Sequence, residues 1–273
     1  MKGSAARPAR SILLVGCGKM GGALLAGWLK RRIKARFLVV EPAPGLKLPR
    51  GVARYGAPSS LPKGLMPAIV VLAVKPQALD AVLVPYRRFA EAGSVFLSIA
   101  AGKSLGYFAR RLGAGAGVVR AMPNTPASIG RGIAVACANI QVTSAQRLLA
   151  DRLLKAVGEV VWVEDEALLD PVTAVSGSGP AYVFLLIEDL AKAGVAAGLP
   201  EELALKLARA TVAGSGELAR ISPEAAAQLR VNVTSPGGTT EAALKVLMGG
   251  HGLAPLIRRA VAAATRRSRE LAE

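Results

Sequence analysis

The sequence predicts an α/β fold in two parts, a doubly wound sheet interleaved with helices over residues 1–163 and an all-α region over 164–273. Three observations carry that prediction. Ile12–Val15 is a short apolar run ending in Gly16-x-Gly18-x-x-Gly21, where a helix-period segment begins at once, the order of a strand, a tight turn and a helix N-terminus. Further apolar runs recur at Phe37–Val40, Ala68–Val74, Ser94–Ile99, Gly117–Ala121, Gly132–Ala138 and Glu159–Val163; continuous runs of this kind suit strands buried on both faces. After Trp162 the strand period stops, and only helical stretches with small residues follow.

Taken in order, residues 1–10 read as a polar, basic, flexible arm. In the glycine turn, Gly16 makes the bend, Gly18 lets a pyrophosphate reach the backbone, and Gly21 allows helix and strand to pack closely. The free N–H groups of the following helix, Met20–Ile33, face the phosphates. Its residues Ala23, Leu24, Gly27 and Trp28 share one face. The second strand closes at Glu41, 20 positions after Gly21. A carboxylate there accepts hydrogen bonds from ribose hydroxyls and repels a 2′-phosphate, so NADH is expected to serve at least as well as NADPH. Residues 42–68 are rich in Pro and Gly and define no element.

The next three strands end in Lys75-Pro76-Gln77, in Ala100-Ala101-Gly102-Lys103 and in Met122-Pro123-Asn124-Thr125-Pro126. Strand C-termini line the ligand crevice of an open parallel sheet, which places all three segments against a coenzyme, with Asn124 able to reach a carboxamide. A helix is expected at Ser144–Val157. Beyond residue 164 helical stretches cover Glu166–Ser176, Pro180–Ala197, Pro200–Arg220, Pro223–Leu229, Thr240–Met248 and Leu253–Leu271. Pro180–Ala197 is apolar nearly all round, and such a helix needs covering on every side. A symmetric subunit interface, at least a dimer, follows. The segment Asn232–Thr240 gathers hydroxyls, an amide and backbone N–H groups at a helix start, a setting for a small carboxylate.

Composition narrows the function classes. The chain has 273 residues, 52% of them apolar and only 4% aromatic, enough for two cores built from Ala, Val, Leu and Gly. The formal charge is +17, and its arginines occur partly as pairs scattered along the chain with no aromatic interleaving, a solvated basic surface and not a nucleic-acid site. Cys17 and Cys137 lie far apart without ligand-spaced partners, so no disulfide framework and no metal site is expected. No signal peptide or membrane span is legible, and a cytoplasmic protein is expected.

The segments GCGKMGG, AVKPQ, SIAAGK, RAMPNTPA, AVSGSGPAYVF and NVTSPGGTTEAAL, in this order, resemble pyrroline-5-carboxylate reductases, over essentially Ile12 to Leu271. The SGSGPAY and SPGGTT segments are the specific ones. The resemblance implies a Rossmann domain, a helical domain forming an intertwined homodimer, often a ring of five dimers, and reduction of L-1-pyrroline-5-carboxylate to L-proline by NADH or NADPH. Residue by residue it places coenzyme contacts on Gly16, Cys17, Gly18, Lys19, Met20, Gly21, Glu41, Ala73, Lys75, Pro76, Ile99 and Ala101, beside Asn124. It places substrate contacts on Glu166, Asn232, Gly238, Thr239 and Thr240. Thr240 is the expected catalytic residue, hydrogen-bonding the imine nitrogen, while His251 is expected to be a surface residue. Two departures stand out: Glu41 replaces a small polar residue frequent in the family, and His251-Gly252-Leu253 stands where Gly-Phe-Arg is common.

Overall fold

The computed structural model describes residues 10–272, so the arm expected over residues 1–10 lies outside the described residues except for Arg10. The strands are β1 Ser11–Val15, β2 Arg36–Val40, β3 Ala53–Tyr55, β4 Ile69–Leu72, β5 Val95–Ser98, β6 Val118–Met122, β7 Gly132–Ala138 and β8 Gly158–Trp162. They form one sheet in the order β3-β2-β1-β4-β5-β6-β7-β8. All neighbours pair parallel except β6 and β7, which run antiparallel. Every strand expected from the sequence is present within two residues at either end, and β3 is an addition from the stretch that defined no element.

Between the strands run α1 Lys19–Lys30, α2 Leu79–Leu83, α3 Arg87–Glu91, α4 Leu105–Leu112 and α5 Ser144–Leu154. Successive side chains of a strand point to opposite faces, and the sheet uses both. Ile12, Leu14 and Val39 pack with Leu24, Leu25 and Trp28 of α1 and with Leu153 and Leu154 of α5. Leu13, Val15 and Leu38 pack on the other side with Leu79, Leu83, Tyr86, Phe89 and Phe108. This two-sided burial explains why the strand runs are continuous. Trp28 is fully buried, stacks on Phe37 at 5.7 Å between ring centroids and donates its indole N–H to the Leu153 carbonyl at 2.9 Å. Trp162 donates to Asp151 Oδ1 at 3.0 Å beneath the Arg147 guanidinium. Helix α5 starts with a complete capping box, Thr143 with Gln146, which satisfies two N–H groups that a helix start would otherwise leave open.

Beyond β8 the described chain is helical: a 3-10 turn Glu166–Leu168, α6 Leu169–Val172, a π-helical turn Thr173–Gly177, then α7 Gly179–Ala196, α8 Glu201–Ile221, α9 Ala226–Asn232, α10 Thr239–Leu247 and α11 Leu253–Ala272. By packing, the chain divides into two compact units, one running to Gly177 and resuming at Thr265, the other Ser178–Ala264. The residues just after β8 stay with the sheet because Leu169 packs against Val135 and Cys137. The end of α11 does so because Ser268, itself buried, donates to Asp170 Oδ1 at 2.7 Å. In the second unit α7 packs on α8, where a Cβ at Gly194 would lie 3.2 Å from that of Ala204. The rest of α7 is open: Phe184 is 63% exposed and Leu185 55%. No helix among the described residues is long and apolar enough to cross a membrane.

Candidate active site

The first cluster forms where β1, β2 and β4 end side by side. Gly16 has φ +87°, and a Cβ there would lie 2.7 Å from the Ala73 carbonyl oxygen, so the turn excludes any side chain. A Cβ at Gly21 would lie 2.4 Å from the Gly16 carbonyl oxygen, whereas one at Gly18 would meet nothing within 4 Å. The turn is therefore closed on its inner side and open at Gly18. Lys19 and Met20 begin α1, which has Gly18 as its N-cap, no side-chain cap and no acidic residue in its first turn. Uncapped N–H groups and an open backbone at a helix start are what a pyrophosphate requires, so the residues present fit a dinucleotide.

Glu41 closes this cluster at the end of β2. Its Oε2 accepts the Cys17 N–H at 2.8 Å, and its Oε1 accepts the Ala43 N–H at 3.0 Å. Arg54 of β3 donates to the carbonyls of Glu41 and Ala43. The carboxylate is thus held between the glycine turn and the segment after β2. Burial, and secondarily the Glu41 charge, pushes the Cys17 thiol above its ordinary pKa, so Cys17 stays a neutral thiol in this turn.

The remaining expected coenzyme contacts leave parallel strands at the same edge. Ala73 follows β4 and bonds through its N–H to the Val15 carbonyl; Lys75 is exposed and precedes the short turn Pro76–Ala78. Ile99 and Ala101 follow β5, with the Ile99 N–H on the Leu72 carbonyl at 3.1 Å. Asn124 follows β6, but its Oδ1 accepts the Ile133 N–H at 2.9 Å, which commits that oxygen to bracing β7. Glu166 is likewise engaged within the fold, since its Oε1 accepts the Leu105 N–H at 2.7 Å and pairs with Arg120. Any contact with a bound molecule then falls to its other oxygen.

The second cluster lies in the helical unit. Gly237 has φ +70°, and Gly238 is the N-cap of α10, with Thr239 and Thr240 as its first residues. The Gly238 N–H bonds to the Ser235 carbonyl at 3.0 Å, and the Gly237 N–H to Glu241 Oε2 at 2.6 Å. Thr239 is exposed and Thr240 half-buried. Asn232 is exposed, but its amide is bracketed: Gln228 donates to its Oδ1 at 2.8 Å, and its Nδ2 donates to the Glu224 carboxylate. Sequence reasoning passes over Glu241, although an acid three residues after the N-cap is a recognisable capping signal. It also passes over Arg120, a single cation in a strand that carries no local signal. Among the described residues no three His, Cys, Asp or Glu side chains are placed to hold a metal.

Known proteins share this architecture. The family model for pyrroline-5-carboxylate reductase dimerisation matches residues 166–271. A pyrroline-5-carboxylate reductase of Pseudomonas aeruginosa is 40% identical over 96% of this chain and 97% of its own length. The structure of a pyrroline-5-carboxylate reductase from Coxiella burnetii superposes with a TM-score of 0.88 at 34% identity, over 98% of this chain and 100% of that one. The crystal structure of Plasmodium falciparum pyrroline carboxylate reductase with NADP bound gives 0.83 at 30% identity, over 97% and 99%.

Proposed function

The chain belongs to the pyrroline-5-carboxylate reductase family, and from that premise we propose that it reduces L-1-pyrroline-5-carboxylate to L-proline with a reduced nicotinamide dinucleotide. The observation that carries the coenzyme half is the glycine turn, shut around Gly16 and Gly21 and open at Gly18. When bound, the coenzyme supplies a hydride to C5 of the cyclic C=N bond.

The chain's own residues bind, orient and protonate. The N–H groups of the turn and of the start of α1 take the pyrophosphate. Glu41, pinned by Cys17 and Ala43, takes the ribose hydroxyls and disfavours a 2′-phosphate, which makes NADH at least as good a partner as NADPH. Ala73, Lys75, Pro76, Ile99, Ala101 and Asn124 line the rest of the coenzyme's path. The N–H groups and hydroxyls of Thr239 and Thr240, next to Gly238, hold the substrate carboxylate, with Asn232 as a further substrate contact, and Glu166 is proposed as a substrate contact from the sheet unit. An imine accepts hydride poorly until its nitrogen carries a proton or a hydrogen bond. The Thr240 hydroxyl donates that bond, with solvent as the final proton source. Positioning, which is worth up to roughly 7–11 kcal/mol in favourable cases, supplies most of the gain.

The family model places dimerisation in the helical region, and the exposed apolar face of α7 suits it. A ring of five dimers is the assembly we propose, in a cytoplasmic setting. Proline formation measured with NADH and NADPH in parallel tests the reading. Turnover of a six-membered imino acid with none of the five-membered one overturns the substrate assignment.

A further inference from the structure

The loop after β5, Ile99–Ser104, is held by two elements distant in sequence. At its far end the Leu105 N–H, in the first turn of α4, donates to Glu166 Oε1 at 2.7 Å. At its centre Gly102 has φ +71° and is buried. A Cβ on Gly102 would lie 3.0 Å from the carbonyl oxygen of Leu271 and 3.1 Å from its Cβ, so the backbone of the last turn of α11 rests directly on this glycine. That turn is anchored in its own right. Ser268 is only 6% exposed and donates to Asp170 Oδ1 at 2.7 Å, and Asp170 sits four residues after Glu166.

We propose that Glu166, Asp170, Ser268 and Leu271 form a clamp that fixes the loop after β5 in its coenzyme-binding shape, with Ser268 and Asp170 as positioning residues for the coenzyme. The proposal rests on the reading of Ile99 and Ala101 as coenzyme contacts. Its physical basis is preorganisation: a glycine in the left-handed region has more alternative conformations than any other residue, and each one populated without coenzyme weakens binding. The carbonyl of Leu271 over Gly102 removes the alternatives that swing the loop outward. The Ser268–Asp170 bond holds that carbonyl in place, and the Glu166–Leu105 bond fixes the loop's exit.

The test uses the full chain and four variants: Ser268→Ala, Asp170→Ala, Asp170→Asn, which keeps an acceptor, and a chain stopped after Glu270, which leaves Ser268 inside the chain but removes Leu271. Three quantities are read: NADH affinity by fluorescence titration, hydrogen exchange at residues 99–105, and KM for NADH against kcat. The clamp predicts about three- to tenfold weaker NADH binding, the fold-change of one lost hydrogen bond, in Ser268→Ala, Asp170→Ala and the stopped chain. Exchange at 99–105 accelerates in the same variants, KM for NADH rises with it, kcat at saturating NADH holds, and Asp170→Asn stays near the unmodified chain. NADH affinity within about twofold of the unmodified chain in the stopped variant and in Ser268→Ala, even with a lowered Tm, overturns the clamp and leaves only a structural contact. Failure of the unmodified chain to bind NADH at all overturns the coenzyme reading and the clamp with it.

Discussion

Replacing Glu41 tests the coenzyme site most directly. The carboxylate is held by the Cys17 N–H at 2.8 Å and the Ala43 N–H at 3.0 Å, so it cannot swing away from a phosphate placed on the neighbouring ribose hydroxyl. Two unit charges about 4 Å apart repel by about 1 kcal/mol in a water-like medium and about 4 kcal/mol at an effective dielectric of about 20. Glu41 is half-buried, between these limits. Glu41→Ser is therefore expected to raise the NADPH to NADH ratio of kcat/KM by about fivefold to a thousandfold. The serine also removes the acceptor for Cys17, which weakens both coenzymes alike. Glu41→Gln separates the two effects: it removes the charge, retains an oxygen for the N–H group, and is expected to give most of the same shift. Steady-state kinetics with each coenzyme in parallel reads the ratio. A ratio that moves less than about threefold in both variants refutes the assignment of Glu41 to the ribose.

Three further outcomes are expected. Thr240→Ala lowers kcat by about tenfold to a hundredfold with NADH affinity unchanged in titration; equal loss of both makes the residue structural. Arg120→Met leaves the Glu166 carboxylate without its cation, and because Arg120 is 10% and Glu166 30% exposed at the side chain, denaturant unfolding should show a loss of about 3 kcal/mol. Arg120→Met combined with Glu166→Gln should recover most of that loss, since no stranded charge remains and the Leu105 N–H keeps its acceptor. Phe184→Glu, on the open face of α7, is expected to turn the assembly into monomers in sedimentation, and an unchanged sedimentation coefficient removes that face from the interface.

Most of the sheet was legible because parallel strands covered on both sides leave unbroken apolar runs, and the place of Glu41 at the end of β2 was legible with them. Strand β3 was not, since Ala53-Arg54-Tyr55 is too short to show a period and lies among prolines and glycines. The antiparallel turn from β6 into β7 was hidden as well, because the length of the 123–131 connection does not state its direction. The Glu166–Arg120 pair joins residues 46 apart, and nothing local marks an arginine in a strand as paired. The helix start at Thr239 was marked by hydroxyl and glycine content, but the internal bonding of Asn232 and Asn124 was not, because an amide's partners depend on tertiary neighbours. The division after Gly177 and the return of α11 to the sheet unit likewise come from long-range packing alone.

The placement of the two tryptophans has an optical consequence. Trp28 and Trp162 both belong to the sheet unit, and they are the chain's full complement. Indole emission therefore reports on the sheet unit and is blind to Ser178–Ala264, whereas the far-ultraviolet helical signal collects the helices of both units. Recording both during denaturation turns a native sequence into a two-channel instrument, in which superimposable curves mean the two units melt together and separated curves mean that one outlives the other.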